Sequence, residues 1–172
     1  MLSNKQAEAI EPKIKVMQII IGALIAGSIF PMVLFLVMRP EPKFTQDFGM
    51  LPLFGAVMAV PCFLASFVMK FIQRKQAVTE LAKEVKGKKS DDALIDKALM
   101  LTQTSMIVCA ALIEGTIFFN IILFFRKGSV LNIGLAILGL VLLGFKFPSS
   151  GKVISSIEWL IDSAKDESKL GV

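Results

Sequence analysis

Glu114 is the residue whose type and position in this sequence could do chemistry. It lies in AALIEGTIFF, residues 110–119, among neighbours that would suit hydrocarbon. Of 19 basic and 14 acidic residues, it alone falls near the middle of a long apolar stretch. A central acidic residue in a membrane helix costs roughly 2.5–3.5 kcal/mol on insertion scales. Protonation lowers that cost, because desolvation penalises only the charged form. No lysine or arginine lies at comparable depth, so the chain offers Glu114 no intramembrane ion pair. Such a carboxyl is protonated and hydrogen-bonded, turned to a water-filled cavity, or holding a cation. Ala110, Ala111, Ile117 and Phe118 share its side of a helix. Thr102, Ser105, Cys109, Thr116 and Asn120 form a mildly polar stripe about 140° away around a 3.6-residue helix. Ligands for Glu114 must therefore come from other segments or another subunit. Ser28, Thr116, Asn120 and Asn132 are the candidate neighbours, together with backbone carbonyls.

Other chemistries find little support. The chain has no histidine and two cysteines, Cys62 and Cys109, both inside apolar stretches and without a CxxC spacing. A zinc or haem site is not expected; nor is any other metal or cofactor. No glycine loop that would cradle a phosphate and no nucleophile–base pair is present, so no catalytic residue is assigned and an enzyme is not expected. The net charge of +5 is taken up by membrane orientation and makes no separate case for nucleic acid.

The elements that must position Glu114 follow from composition. The 172 residues are 55% hydrophobic, with a mean hydropathy of +0.71, which places the chain among integral membrane proteins. Uncharged stretches cover 16–38, 48–69 and 128–145, and 98–125 is interrupted only by Glu114. About 20 apolar residues cross the hydrocarbon core as a helix, and a backbone in lipid must satisfy its own hydrogen bonds. The expected fold is an all-α membrane protein with four transmembrane helices. Their spans lie near 14–38, 50–72, 102–125 and 129–147, in a membrane domain covering 1–147. The first is read as an uncleaved helix, since its apolar stretch is long and LVMRPEP, at its end, offers no small-x-small site before Arg39.

Between spans two and three, Ala77, Leu81 and Val85, with Val78 and Ala82, continue a helical stripe. Ser90 reads as an N-cap before Asp91 and Asp92, and Leu94, Ile95, Ala98 and Leu99 carry a second stripe. A cytoplasmic helical hairpin over 73–101 is expected. Residues 1–13 read as a polar lead that can be helical, ending at Pro12, 39–49 as an outer loop, and 126–128 as a tight outer turn that makes spans three and four antiparallel neighbours. After a break at 147–151, residues 148–172 are expected to form an amphipathic cytoplasmic tail, lying on the inner membrane surface or packed under the bundle. Val153, Ile154, Ile157, Leu160, Ile161 and Ala164 line its apolar side, and Trp159 is placed at headgroup level.

Spans one and three share a motif. ALIAGSIF, 23–30, matches ALIEGTIF, 111–118, at six of eight positions, and Ala26 stands where the second copy has Glu114. A parallel internal repeat of a two-helix unit is expected. Gly22 with Ala26, Ala23 with Gly27, and Ala111 with Gly115 form small-xxx-small pairs suited to close helix packing in lipid.

The stretch TSMIVCAALIEGTIFFNIILFF, 104–125, resembles the carboxylate-bearing helix of the ring-forming proteolipid subunits of rotary ATPases, ATP synthase subunit c and the vacuolar-type subunit K. The resemblance implies that Glu114 carries a proton or sodium ion and that Ala26 marks the copy without a carrier. It covers about 22 of the 172 residues, and the family's glycine-rich partner helix and last-span carboxylate have no counterpart here.

The expectation is an oligomeric membrane protein whose mid-membrane carboxylate is proton- or cation-linked. The alternative is a non-catalytic structural or assembly subunit of a larger membrane complex. Expected partners are the lipid bilayer, further copies of the chain, and a protein docked on the cytoplasmic hairpin. Fifteen of the 19 basic residues fall before the first apolar stretch, between the second and third, or after the last. The positive-inside rule places those parts in the cytoplasm, and a bacterial inner membrane is the expected location.

Overall fold

The structure, a computed structural model, describes residues 3–38, 50–87 and 90–169. Five helices account for nearly all of it: α1 (Asn4–Met38), α2 (Met50–Lys86), α3 (Asp91–Lys127), α4 (Val130–Phe145) and α5 (Ser150–Lys169). No strand occurs among the described residues. The expected outer loop at 39–49 lies outside them, as do Lys88 and Lys89.

Three helices, α1 to α3, are long and apolar enough to cross a membrane. α2 and α3 have 37 residues each, roughly 55 Å at 1.5 Å per residue, against a hydrocarbon core of about 30 Å. α4 is shorter, at 16 residues. It passes the same test only together with α5, from which it is bent by 68°. The chain therefore has three to four helices compatible with membrane spans.

The polar lead does not end at Pro12. α1 runs through it without a break. Proline removes one N–H and so frees the carbonyl four residues earlier. Pro12 is on the exposed side, where water can take that carbonyl. Ile10, Ile14, Met17 and Ile21 meanwhile keep one buried stripe running along the helix.

The chain divides into two compact units, and α1, α2 and α3 each contribute to both. The first comprises residues 1–20, 68–107 and 148–172. Ile10, Ile14 and Met17 of α1, Ala77, Val78, Leu81 and Ala82 of α2, Leu94, Ile95, Ala98 and Leu99 of α3, and Val153, Ile157, Leu160 and Ala164 of α5 form its core. These are the apolar stripes of the hairpin and tail, joined by the N-terminal lead. Polar contacts frame the core. Lys13 pairs with Asp96 at 2.7 Å and Lys97 with Glu80 at 2.6 Å. Gln6 donates to Asp92 and Thr79 to Glu167. Ser90 caps α3, its Oγ accepting from the Ala93 N–H at 3.4 Å.

The second unit comprises residues 21–67 and 108–147. Its core joins Ile21, Ala59, Phe63, Ala110, Ile113, Ile117, Ile121, Ala136 and Leu143. α3 supplies the most of these and is its central helix. Gly128, with φ 71°, turns the chain between α3 and α4, a left-handed conformation that costs glycine little. The tight turn makes α3 and α4 antiparallel neighbours. A Cβ on Gly139 would lie 2.5 Å from Ile117 Cγ1, so backbone and side chain meet closely there.

Candidate functional site

The polar stripe of α3 faces inward. Thr116 and Asn120 are buried, and both are tied to their own helix. Thr116 Oγ1 donates to the Leu112 carbonyl at 3.0 Å, and Asn120 Nδ2 donates to the Thr116 carbonyl at 3.0 Å. Asn120 Oδ1 accepts from Asn132 Nδ2 of α4 at 2.9 Å, and the same Nδ2 reaches the Pro52 carbonyl of α2 at 3.4 Å. Pro52 is followed at the next residue but two by Gly55, where a Cβ would lie 2.8 Å from Asn120 Oδ1 and 2.7 Å from Leu123 Cδ1 and would collide with Asn132 Nδ2. Three helices thus converge on one buried amide pair, and the missing side chain of Gly55 makes room for it. Nearer the other end, Cys109 Sγ contacts the Ser66 carbonyl at 3.3 Å, while Ser66 Oγ donates to the Phe63 carbonyl at 2.7 Å.

Glu114 takes no part in this network. Its side chain is half-buried and points toward α1, where a Cβ placed on Gly27 would lie 3.6 Å from Glu114 Oε1. Among the described residues no hydrogen bond to the Glu114 carboxyl is made. Of the four expected neighbours, Asn120 and Asn132 are brought together with each other, and Thr116 supports them. Ser28, next to Gly27 in the chain, is fully buried, and its hydroxyl lacks a partner.

The small residues expected to pack helices lie on outward sides of the unit. Ala23, Ala26 and Gly27 on α1 and Ala111 and Gly115 on α3 are exposed. Nothing lies within 4 Å of a Cβ built on Gly22 or Gly115. α1 contacts the rest of the unit through a narrow stripe of Ile21, Leu24, Ile25, Met32 and Phe35, closed by Phe35 stacked on Phe125 at 4.5 Å. Only 11% of its most apolar stretch is buried, against 50% for α3. Glu114 therefore sits beside a largely uncovered helix, with small residues on both sides of it.

The Asn120–Asn132–Gly55 junction was not foreseen as a unit. Its signal was present: two asparagines, the only ones in their apolar stretches, 12 residues apart across a turn that forces antiparallel pairing. Gly55 carried no signal of its own, because a glycine required by close approach looks like any other glycine in a sequence.

Compared with protein-family models, curated proteins and solved structures, the chain gives no match. The likeness of 104–125 to rotary ATPase proteolipids rests on its residues alone.

Proposed function

We propose that this is an oligomeric, non-enzymatic membrane protein in which Glu114 is a proton-titrating carboxyl at the contact between chains. The supporting reading has four spans, with both termini and the 73–101 hairpin in the cytoplasm. The observation that carries it is the position of Glu114: half-exposed beside Gly27, unpaired among the described residues, and next to faces of small residues. A carboxyl left open to lipid is costly. Small residues on both sides allow a neighbouring chain to approach closely enough to cover it. A proton needs only the carboxyl itself, whereas a hard cation takes several oxygen ligands. Asn120 Oδ1 accepts from Asn132, and the buried oxygens without a hydrogen-bond partner, Asn132 Oδ1 and Ser28 Oγ, are too few for such a shell. This favours proton over metal-ion exchange.

Glu114→Gln is the direct test, in proteoliposomes carrying an internal pH dye. Wild-type protein is expected to pass protons down an imposed gradient, and the variant to lose that flux while keeping its oligomeric state. A wild type that assembles but moves no protons would leave the structural or assembly role, and the proton-linked reading would be abandoned.

A further inference from the structure

We infer that Arg74 and Trp159, flanked by Lys152, form a binding site for the headgroup of an anionic phospholipid. All three belong to the first compact unit. The Arg74 guanidinium carbon lies 5.0 Å above the Trp159 ring, within the range of a cation–π contact, for which tryptophan is the best partner. That contact orients the guanidinium but satisfies none of its five N–H donors. Among the described residues, Arg74 has no carboxylate partner and the Trp159 indole N–H donates no hydrogen bond. Lys152 is exposed and, among the described residues, has no ion pair. It lies two helical turns before Trp159 on the same side of α5. A planar fork, an indole N–H and a lysine together form a donor set for a phosphodiester.

The level of the site selects a lipid as the source of that phosphate. The uncharged stretch of α2 ends at Met69, and Lys70 is the first charge after it. Phe71 is 73% exposed and Ile72 is also exposed. Large apolar side chains at that exposure belong against acyl chains, with Arg74 one turn further along at headgroup depth. Trp159 is 47% exposed, whereas Ile157 and Leu160 on the same helix are buried in the core. α5 is therefore held by protein contacts through one side and offers lipid an aromatic–basic edge through another. This inference depends on the membrane topology proposed above.

Trp159 is the only tryptophan in the chain, so its fluorescence reports on the site alone. The full-length protein is reconstituted in phosphatidylcholine nanodiscs containing an equal share of either brominated phosphatidylglycerol or brominated phosphatidylcholine. The phosphatidylglycerol is expected to quench Trp159 more strongly. One basic side chain at an anionic surface contributes about a fivefold preference. Arg74→Gln should lose roughly that factor, with Arg74→Lys recovering part of it. Equal quenching by the two lipids in the wild type would overturn the proposal, as would full selectivity in Arg74→Gln. So would displacement of the effect by inorganic phosphate, which would mark the site as one for the free anion. Labelling of cysteines at the termini with an impermeant maleimide, in intact and in opened cells, separates the two failures. Termini on opposite sides would remove the topology, whereas the expected topology with unselective quenching would remove only the lipid site.

Discussion

Two glycines show how differently one residue type is used in this molecule. Gly55 stands where a methyl group would enter the Asn120–Asn132 pair and press on Leu123. Gly115 stands where a methyl group would meet nothing within 4 Å. Overpacking of this kind costs about 1–3 kcal/mol, and a stranded amide in a bilayer adds to it. Gly55→Ala is therefore expected to lower the thermal unfolding midpoint in detergent. Gly115→Ala should leave it unchanged or raise it, since alanine is the better helix former by about 1 kcal/mol. Equal effects would mean that Gly55 does not hold the junction. Outside the apolar stretches, the Glu80 carboxylate hydrogen-bonded to Lys97 holds that ammonium above its ordinary range, with Glu84 adding to the effect and partial desolvation opposing it. A raised base contributes stability that is complete below its unfolded value, near 10.4. The contribution disappears as pH climbs through the higher folded value. The unfolding midpoints of wild type and Lys97→Met should accordingly differ most at neutral pH and converge in strong alkali. A gap that widened in alkali would assign the sign wrongly.

At the scale of elements, α5 is an amphipathic helix whose apolar side meets protein. Val153, Ile157, Leu160 and Ala164 are buried against the hairpin and α1. Ile157→Asp would bury an unpaired carboxylate, one of the few mechanisms that cost more than about 4 kcal/mol. It should release α5 and expose the backbone amides around Leu81 and Leu99 to hydrogen exchange. Unchanged protection there would mean that α5 is dispensable to the unit. The helical character of the tail was legible in its stripe, as were the hairpin stripes at Ala77–Leu81 and Leu94–Leu99 and the Ser90 cap, because each repeats at helical spacing over several turns. What the spacing could not tell was the partner, since an apolar side fits a membrane and a helix equally well. The lead of α1 differs from its sequence reading only in not ending at Pro12. The Ile10, Ile14, Met17 and Ile21 stripe runs past that residue, and a proline on a solvent side removes only a bond that water replaces. For the site, the isolation of Glu114 was visible in the sequence. Its direction, toward Gly27 and away from the asparagines, was not, because depth along a helix is written in the sequence and the identity of the neighbouring helix is not.

At the scale of the whole molecule, the number of crossings decides which ends share a compartment. Lys5, Lys13 and Lys15 precede the first apolar stretch, and Lys165 and Lys169 follow the last, while Arg126 and Lys127 stand at the turn between α3 and α4. With three crossings the N- and C-termini would lie on opposite sides of a membrane; with four they share one. The 16 residues of α4 reach about 24 Å at 1.5 Å per residue, a little short of the hydrocarbon core. Lys146, its ammonium 4.7 Å above the Phe67 ring, stands at the end of α4 where a long side chain can reach the interface. Four crossings therefore need only slight thinning of the bilayer around α4, which costs fractions of a kcal/mol per Å of mismatch. Three crossings would leave Ile137, Leu138 and Val141, all exposed large apolar residues, on the water side, each losing about 1.5–3 kcal/mol of burial. The second cost is the larger, so the four-span arrangement should hold. In a chain with Cys62 and Cys109 replaced by alanine, single cysteines at Asn4 and Ser168 should react with an impermeant maleimide only after the cells are opened. A cysteine at Lys127 should react in intact cells. Labelling of Ser168→Cys from outside, with Asn4→Cys protected, would establish three crossings and remove α4 from the spanning helices.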